Sequence, residues 1–266
     1  MRTFFTFLVG LLLAVGLTAC DSSGGNDEGP TAQVRFMHAS ADAGAVDVVV
    51  DGETVVSGVE FSELSNGIAA PSVSSNYYEV PVSVGTTIEV QDAGGNAVIS
   101  TTASQAGLQE DAQYTVVVAG AIAAQEQGAD TPQPIVLRDR FQRELGDNEV
   151  GIRLVHGSGF AGAVDIYLNA PGTELQQEEL LAQDFQFTSD FPGGFPGQFA
   201  AQAVSEQGSV LVVTPHESTL RVLELPVGGD QEGGLSVSGG QYITGVAIDD
   251  PSSEPRVGAL VQVDQP

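Results

Sequence analysis

The chain has 266 residues, 33 Gly, 13 Pro and an apolar share of 42%, the profile of a folded protein with room for one large or two ordinary domains of about 100–150 residues. Eight basic residues against 35 acidic ones leave a net charge of −27, and every basic residue is Arg. Counterion release from nucleic acid and docking on anionic lipid both need clustered basic residues, so neither is expected here. Such a charge repels itself at low ionic strength and is better tolerated when salt screens it. Scarce Lys with abundant Asp and Glu resembles the proteins of salt-loving bacteria.

The N-terminus reads as an address. Arg2 supplies a positive start, and Phe4 to Leu17 form a nearly continuous apolar run, shorter than the roughly 18–20 residues of a membrane span. The run ends in Leu17-Thr18-Ala19-Cys20, which resembles the lipobox of bacterial lipoproteins. Small residues fit a peptidase cleft there, and the Cys20 thiol takes a diacylglycerol thioether. Further acylation of the freed amine makes a stable two- or three-chain anchor. Cys20 is the only Cys of the chain, so nothing is left for a disulfide, a zinc site or a thiol enzyme. Residues 1–19 are thus expected to be a lipoprotein signal peptide, and 20–30 the lipidated Cys with a polar, Gly-rich tether.

The body carries an internal repeat. Val34 to Asp51 aligns without a gap on Ile152 to Asn169, at an offset of 118 residues and with 8 identities in 18 positions. Thr86–Val90 then matches Ser209–Val213, and Gln113-Tyr114 matches Gln241-Tyr242. Two domains of one type are expected, over 31–147 and 148–266. In the first copy, strand signals fall near 33–39, 46–51, 53–57, 77–82, 86–91, 97–103, 113–120 and 134–138, with turn residues such as Asp51-Gly52 and Gly94-Gly95 between them. Seven or eight short strands without sustained helical periodicity predict an all-β fold, an antiparallel β-sandwich of immunoglobulin-like kind in each copy. Runs such as Val116–Val118 and Leu211–Val213 are expected to be central strands covered on both faces.

The Arg-x-x-His-Ala/Gly-Ser opening, the Ala-Val-Asp that follows and the late Gln-Tyr resemble the bacterial domain-of-unknown-function family 4397. The resemblance covers nearly all of the chain after the tether. It implies tandem β-sandwiches in an exported or lipid-anchored envelope protein, and it supplies no functional residues.

The repeated Arg35, His38, Ser40, Asp47 and Arg153, His156, Ser158, Asp165 invite a catalytic or metal reading. Period two puts His38 on the face of Val34 and Phe36 and Asp47 opposite Val46 and Val48, so the two diverge. The expectation is structural: His and Ser satisfy backbone groups around the turn Ser40–Ala45. One such His per unit is too few for a metal site, so no metal and no cofactor is expected. Gly157-Ser158-Gly159 lacks the spacing of a nucleophile elbow, and no catalytic residue is assigned.

Residues 185–199 hold five of the twelve Phe; Phe191, Phe195 and Phe199 are candidate binding residues, either plugs of a folded-over loop or an exposed patch for a protein or glycan partner. Arg138, Arg140 and Arg143 either clip the two acidic domains at their junction or are solvated. The reading is a non-enzymatic, lipid-anchored cell-envelope protein with a structural or adhesive role. The alternative is a capture module for glycan or a divalent cation.

Overall fold

The computed structural model describes residues 29–61, 68–69, 77–121, 132–141, 144–176, 180–187, 199–203, 208–227, 239–249 and 257–264. Cys20, Phe191, Phe195 and Arg143 lie outside these residues. The described chain is all β. Its first half forms β1 (Thr31–His38), β2 (Val46–Val50), β3 (Glu53–Val59), β4 (Ile68–Ala69), β5 (Tyr78–Pro81), β6 (Thr87–Gln91), β7 (Ala97–Thr102), β8 (Gln113–Ala119) and β9 (Gln133–Arg138). Its second half forms β10 (Glu149–His156), β11 (Val164–Asn169), β12 (Leu180–Phe185), β13 (Ala200–Ala203), β14 (Ser209–Pro215), β15 (Leu223–Val227), β16 (Tyr242–Asp249) and β17 (Val257–Asp264).

The strands make two sandwiches. In the first, sheet β5-β1-β8-β9 packs on sheet β3-β2-β6-β7; in the second, β13-β10-β16-β17 packs on β12-β11-β14-β15. Alternation sets which side chains go inside. Ala32, Val34 and Phe36 of β1 join Val46, Val48 and Val50 of β2 in the first core. Ile152 and Leu154 of β10 join Val164 and Ile166 of β11 in the second. Between β2 and β3 the two-residue loop Asp51-Gly52 has φ of 49° and 83°, the left-handed pair a type I′ hairpin requires.

Pairing is antiparallel apart from a parallel pair at the centre of each inner sheet, β1 with β8 and β10 with β16. A short segment of the first half, β4, also leaves its own sandwich and adds in parallel to β17, Ala259 opposite Ile68. Periodicity reports which face a residue takes but not which strand lies beside it, so neither feature was visible in the pattern.

The two inner sheets face each other. Met37, Val117, Ile135 and Leu137 of the first meet Val155, Val246, Ile248 and Leu260 of the second in a third apolar core. The result is four stacked layers in which β8 is buried on both faces, as the Val116–Val118 run predicts. Gly157 is the close-approach point of this seam: a Cβ there would lie 3.0 Å from Val246 Cγ1 and 3.3 Å from Ala119 Cβ. Across the same spot, the Gly120 N–H donates to Gly157 O at 3.1 Å.

The pairing also corrects the repeat. Arg35 lies opposite Thr115 and Arg153 opposite Thr244, so Gln113 corresponds to Tyr242, and Tyr114 to Ile243. The Gln-Tyr match of the sequence is therefore one residue out of register. Tyr114 is a core residue of the first sandwich, whereas Tyr242 faces the other way.

Candidate functional site

The seam between the sandwiches holds a buried polar network built twice from the same parts. In the first sandwich, Arg35 Nε donates to Thr115 Oγ1 at 2.8 Å, and that hydroxyl donates to Asp139 Oδ2 at 2.8 Å. In the second, Arg153 Nε donates to Thr244 Oγ1 at 3.0 Å, and that hydroxyl donates to Asp264 Oδ2 at 2.7 Å. The ion pairs then cross over. Arg35 Nη2 meets Asp264 Oδ1 at 2.5 Å, and Arg153 Nη1 meets Asp139 Oδ1 at 2.8 Å.

Each guanidinium is also covered by the aromatic residue that precedes an edge strand. Arg35 lies 5.3 Å from the Tyr77 ring centroid, just before β5, and Arg153 lies 4.4 Å from that of Phe199, just before β13. Tyr77 O–H donates to Asp139 Oδ2 at 2.7 Å, and burial followed by the Asp139 charge pushes its pKa far up. Burial works against the charge of Arg35, but Asp264 and Asp139 outweigh it and raise its pKa. The set is charge-balanced, so two cations and two anions are held out of water together.

This places the repeated motif. Arg35 and Arg153 are the cross-links. His38 donates from Nε2 to Gly44 O at 3.0 Å and accepts the Ser40 N–H at Nδ1 at 3.2 Å; burial lowers its pKa, opposed by Gly44 O and Asp42. His156 Nε2 meets Gly162 O at 3.0 Å. Ser40 donates to Asp42 at 2.7 Å, and Ser158 donates to Asp249, which also takes the Gly159 and Phe160 N–H groups at 2.9 and 3.1 Å. Asp47 accepts the N–H of Gly58 (φ 66°) at 2.7 Å, and Asp165 that of Asp184 (φ 50°) at 2.9 Å. Each carboxylate thus pins a left-handed residue where the ladder shifts register. The structure does not bring His38 to Asp47 or His156 to Asp165.

Among the described residues, neither Arg138 nor Arg140 makes a side-chain hydrogen bond or ion pair to the second sandwich. Arg138 Nη1 donates to Gln109 within the first sandwich at 2.7 Å, and Arg143 lies outside the described residues. Phe199 is half-buried, stacked 5.4 Å from Phe141 and edge-on to Tyr242 at 4.9 Å.

Two further features escaped the sequence. Asp165 Oδ1 meets His216 Nδ1 at 2.8 Å, a pair 51 residues apart that no local motif announces. The second is a polar cleft of about 630 Å³, lined by Thr31, Gln33, Glu79, Asp111, Ala112, Gln113, Arg138, Asp139 and Arg140. It crosses the seam face of the first inner sheet, where Glu79, Gln33 and Gln113 stand side by side on β5, β1 and β8. The two amides are joined, Gln113 Nε2 donating to Gln33 Oε1 at 2.8 Å. Among the described residues no group of three or more His, Cys, Asp or Glu is placed to hold a metal ion.

A comparison with the curated proteins finds no match. A family model, Domain of unknown function (DUF4397), matches residues 32–167, from the first core residue of β1 through the first sandwich and into β11. With half of the chain under that match, the chain belongs to the DUF4397 family.

Proposed function

We propose that this is a lipid-anchored protein of the bacterial cell envelope, non-enzymatic, whose two tandem copies of one domain act as a single rigid body for a structural or adhesive task. The observation that supports it is the seam: crossed ion pairs with side-chain exposures of 11% or less, set beside a continuous apolar contact between the inner sheets. Flexibly linked domains have small, polar and mobile contacts; a buried, charge-balanced seam with an apolar core is suited to transmitting position and load. The lipobox at Cys20 and the polar tether after it support the anchor.

The test is phase partitioning of the full chain with a cell-surface readout. The expected result is that the wild type enters the detergent phase, that Cys20→Ser moves to the aqueous phase, and that protease shaving releases peptides of 31–266 either from intact cells or after outer-membrane permeabilisation. Aqueous partitioning of the wild type overturns the anchor. A second reading, glycan capture, draws its support from the polar cleft.

A further inference from the structure

The two copies differ where their seam faces open at the edge. In the second sandwich the place of Gln33 is taken by Gly151, and that of Gln113 by Tyr242. A Cβ on Gly151 would lie 2.2 Å from Tyr242 Cδ1, so the ring occupies the room that the missing side chain leaves. Tyr242 packs edge-on against Phe141 at 5.1 Å and Phe199 at 4.9 Å, and it is 3% exposed. The second copy is thus plugged by aromatic rings, while the first is open and lined by amides, carboxylates and two arginines.

Arg140 stands out in that lining. Among the described arginines, Arg35, Arg138, Arg153 and Arg221 each donate to an acceptor side chain, whereas Arg140 has no hydrogen bond or ion pair from its side chain within the described residues. A guanidinium with no acceptor among the described residues is unusual in a chain of net charge −27, because acceptors are everywhere. Its fork suits a carboxylate.

We propose that the cleft of the first sandwich binds a short acidic oligosaccharide, a carboxylate-bearing sugar chain, with Arg140 taking the carboxylate. The rest of the lining fits that chemistry. Gln33 and Gln113 offer planar donors and acceptors to hydroxyls, while Glu79, Asp111 and Thr31 accept hydroxyl protons. Ala112 is the one apolar residue of the lining, so a hydrophobic ligand finds nothing to bury against. The volume of about 630 Å³ falls within the usual range for small-molecule sites and exceeds what a free amino acid fills. A phosphate chain carries more negative charge than Arg138 and Arg140 balance beside Glu79 and Asp111.

The proposal deepens the glycan-capture reading. The experiment is calorimetric titration of the full chain in detergent with a trigalacturonate, with maltotriose as the neutral comparison. Weak but saturable binding of the acidic trimer is expected, with affinity at least about tenfold above maltotriose. Arg140→Gln should cost about tenfold or more for the acidic trimer alone. Gln113→Tyr, which copies the plug of the second sandwich, should abolish binding while the melting temperature stays within a few degrees. No binding by the wild type, equal affinity for both trimers, or unchanged binding in both variants overturns the proposal. A chain that still partitions with detergent but ignores the trimer leaves the anchored rigid body standing and removes only the cleft.

Discussion

Arg153 and Asp139 lie 2.8 Å apart although they belong to different sandwiches, and the equivalent Arg35 and Asp264 repeat the arrangement at 2.5 Å. Each sandwich exports its arginine and receives its neighbour's. Each arginine also keeps a longer contact with the carboxylate of its own sandwich, Arg35 with Asp139 at 3.6 Å and Arg153 with Asp264 at 3.7 Å, so the shorter crossed bonds couple the stability of one sandwich to the presence of the other.

Removing one partner leaves the buried set with an unbalanced charge. Arg153→Met should destabilise the protein by about 3–5 kcal/mol in urea unfolding, and Asp139→Leu by a similar amount. The double variant Arg153→Met/Asp139→Leu should lose clearly less than the sum of the two, because it removes both charges at once. Additive losses would show that the two groups do not act as a pair.

Gly151 tests the aromatic plug. Its Cβ would fall 2.2 and 2.6 Å from Tyr242 Cδ1 and Cε1, and the ring is held by Phe141 and Phe199, so it has no free direction in which to move. Gly151→Ala should cost about 1–3 kcal/mol through overpacking. Combining it with Tyr242→Gln should recover part of that loss, read as a rise in melting temperature over the single variant.

The Asp165–His216 pair predicts a pH window. The hydrogen bond that His216 Nδ1 donates to Asp165 raises the His216 pKa. Its stabilisation is present below the ordinary value of 6.5 and is lost as pH rises through the raised folded value. Asp165 is buried, which opposes ionisation, but the bonds from His216 and the Asp184 and Glu217 N–H groups together lower its pKa below 3.8. Its stabilisation is present above 3.8 and lost as pH falls through the lowered value. The melting-temperature difference between wild type and His216→Gln should therefore peak between about pH 4 and 6.5 and shrink on either side.

Asp249 carries the opposite sign. Burial, aided by the charge of Asp42 across the seam, raises its pKa against the bonds from Ser158, Gly159 and Phe160. A raised carboxylate favours the fold below its ordinary value and loses that advantage as pH climbs through the folded one. Asp42→Asn should then stabilise the protein at pH 7 by about 0.5 kcal/mol at low ionic strength, with little effect in 1 M salt. Molar salt should also raise the stability of the wild type, given its net charge of −27.

Much of the scaffold was legible in the residues. Alternation in Ala32, Val34 and Phe36 and in Val46, Val48 and Val50 gave the strands and their core faces, and the repeat of Val34–Asp51 in Ile152–Asn169 pointed to two sandwiches. The seam was signalled less directly. Met37 follows Arg35 on the face away from the first core, and an apolar residue there marks a second covered side. What stayed hidden were partners that no spacing relates. Asp139 and Asp264 are two acids among 35, each at a strand end. Thr115 and Thr244 were obscured because the late strands were matched on Tyr instead of on the hydroxyl that takes the arginine. The cleft stayed hidden for a similar reason: four strands contribute to it, and Gln33 and Gln113 are separated by 80 residues.

The central place of β1 has a mechanical consequence. The strand begins at Thr31 and is hydrogen-bonded on both sides, to β5 from Thr31 to Val34 and to β8 from Gln33 to His38. A pull on the chain ahead of Thr31, directed along the strand, meets both ladders in shear, so many bonds must fail together instead of opening one after another from an edge. The barrier that such a load must cross is governed by unfolding rate, not by equilibrium stability. In single-molecule stretching the first sandwich should therefore resist an N-terminal tug far longer than a strand at the sheet edge, such as β9, would resist the same force.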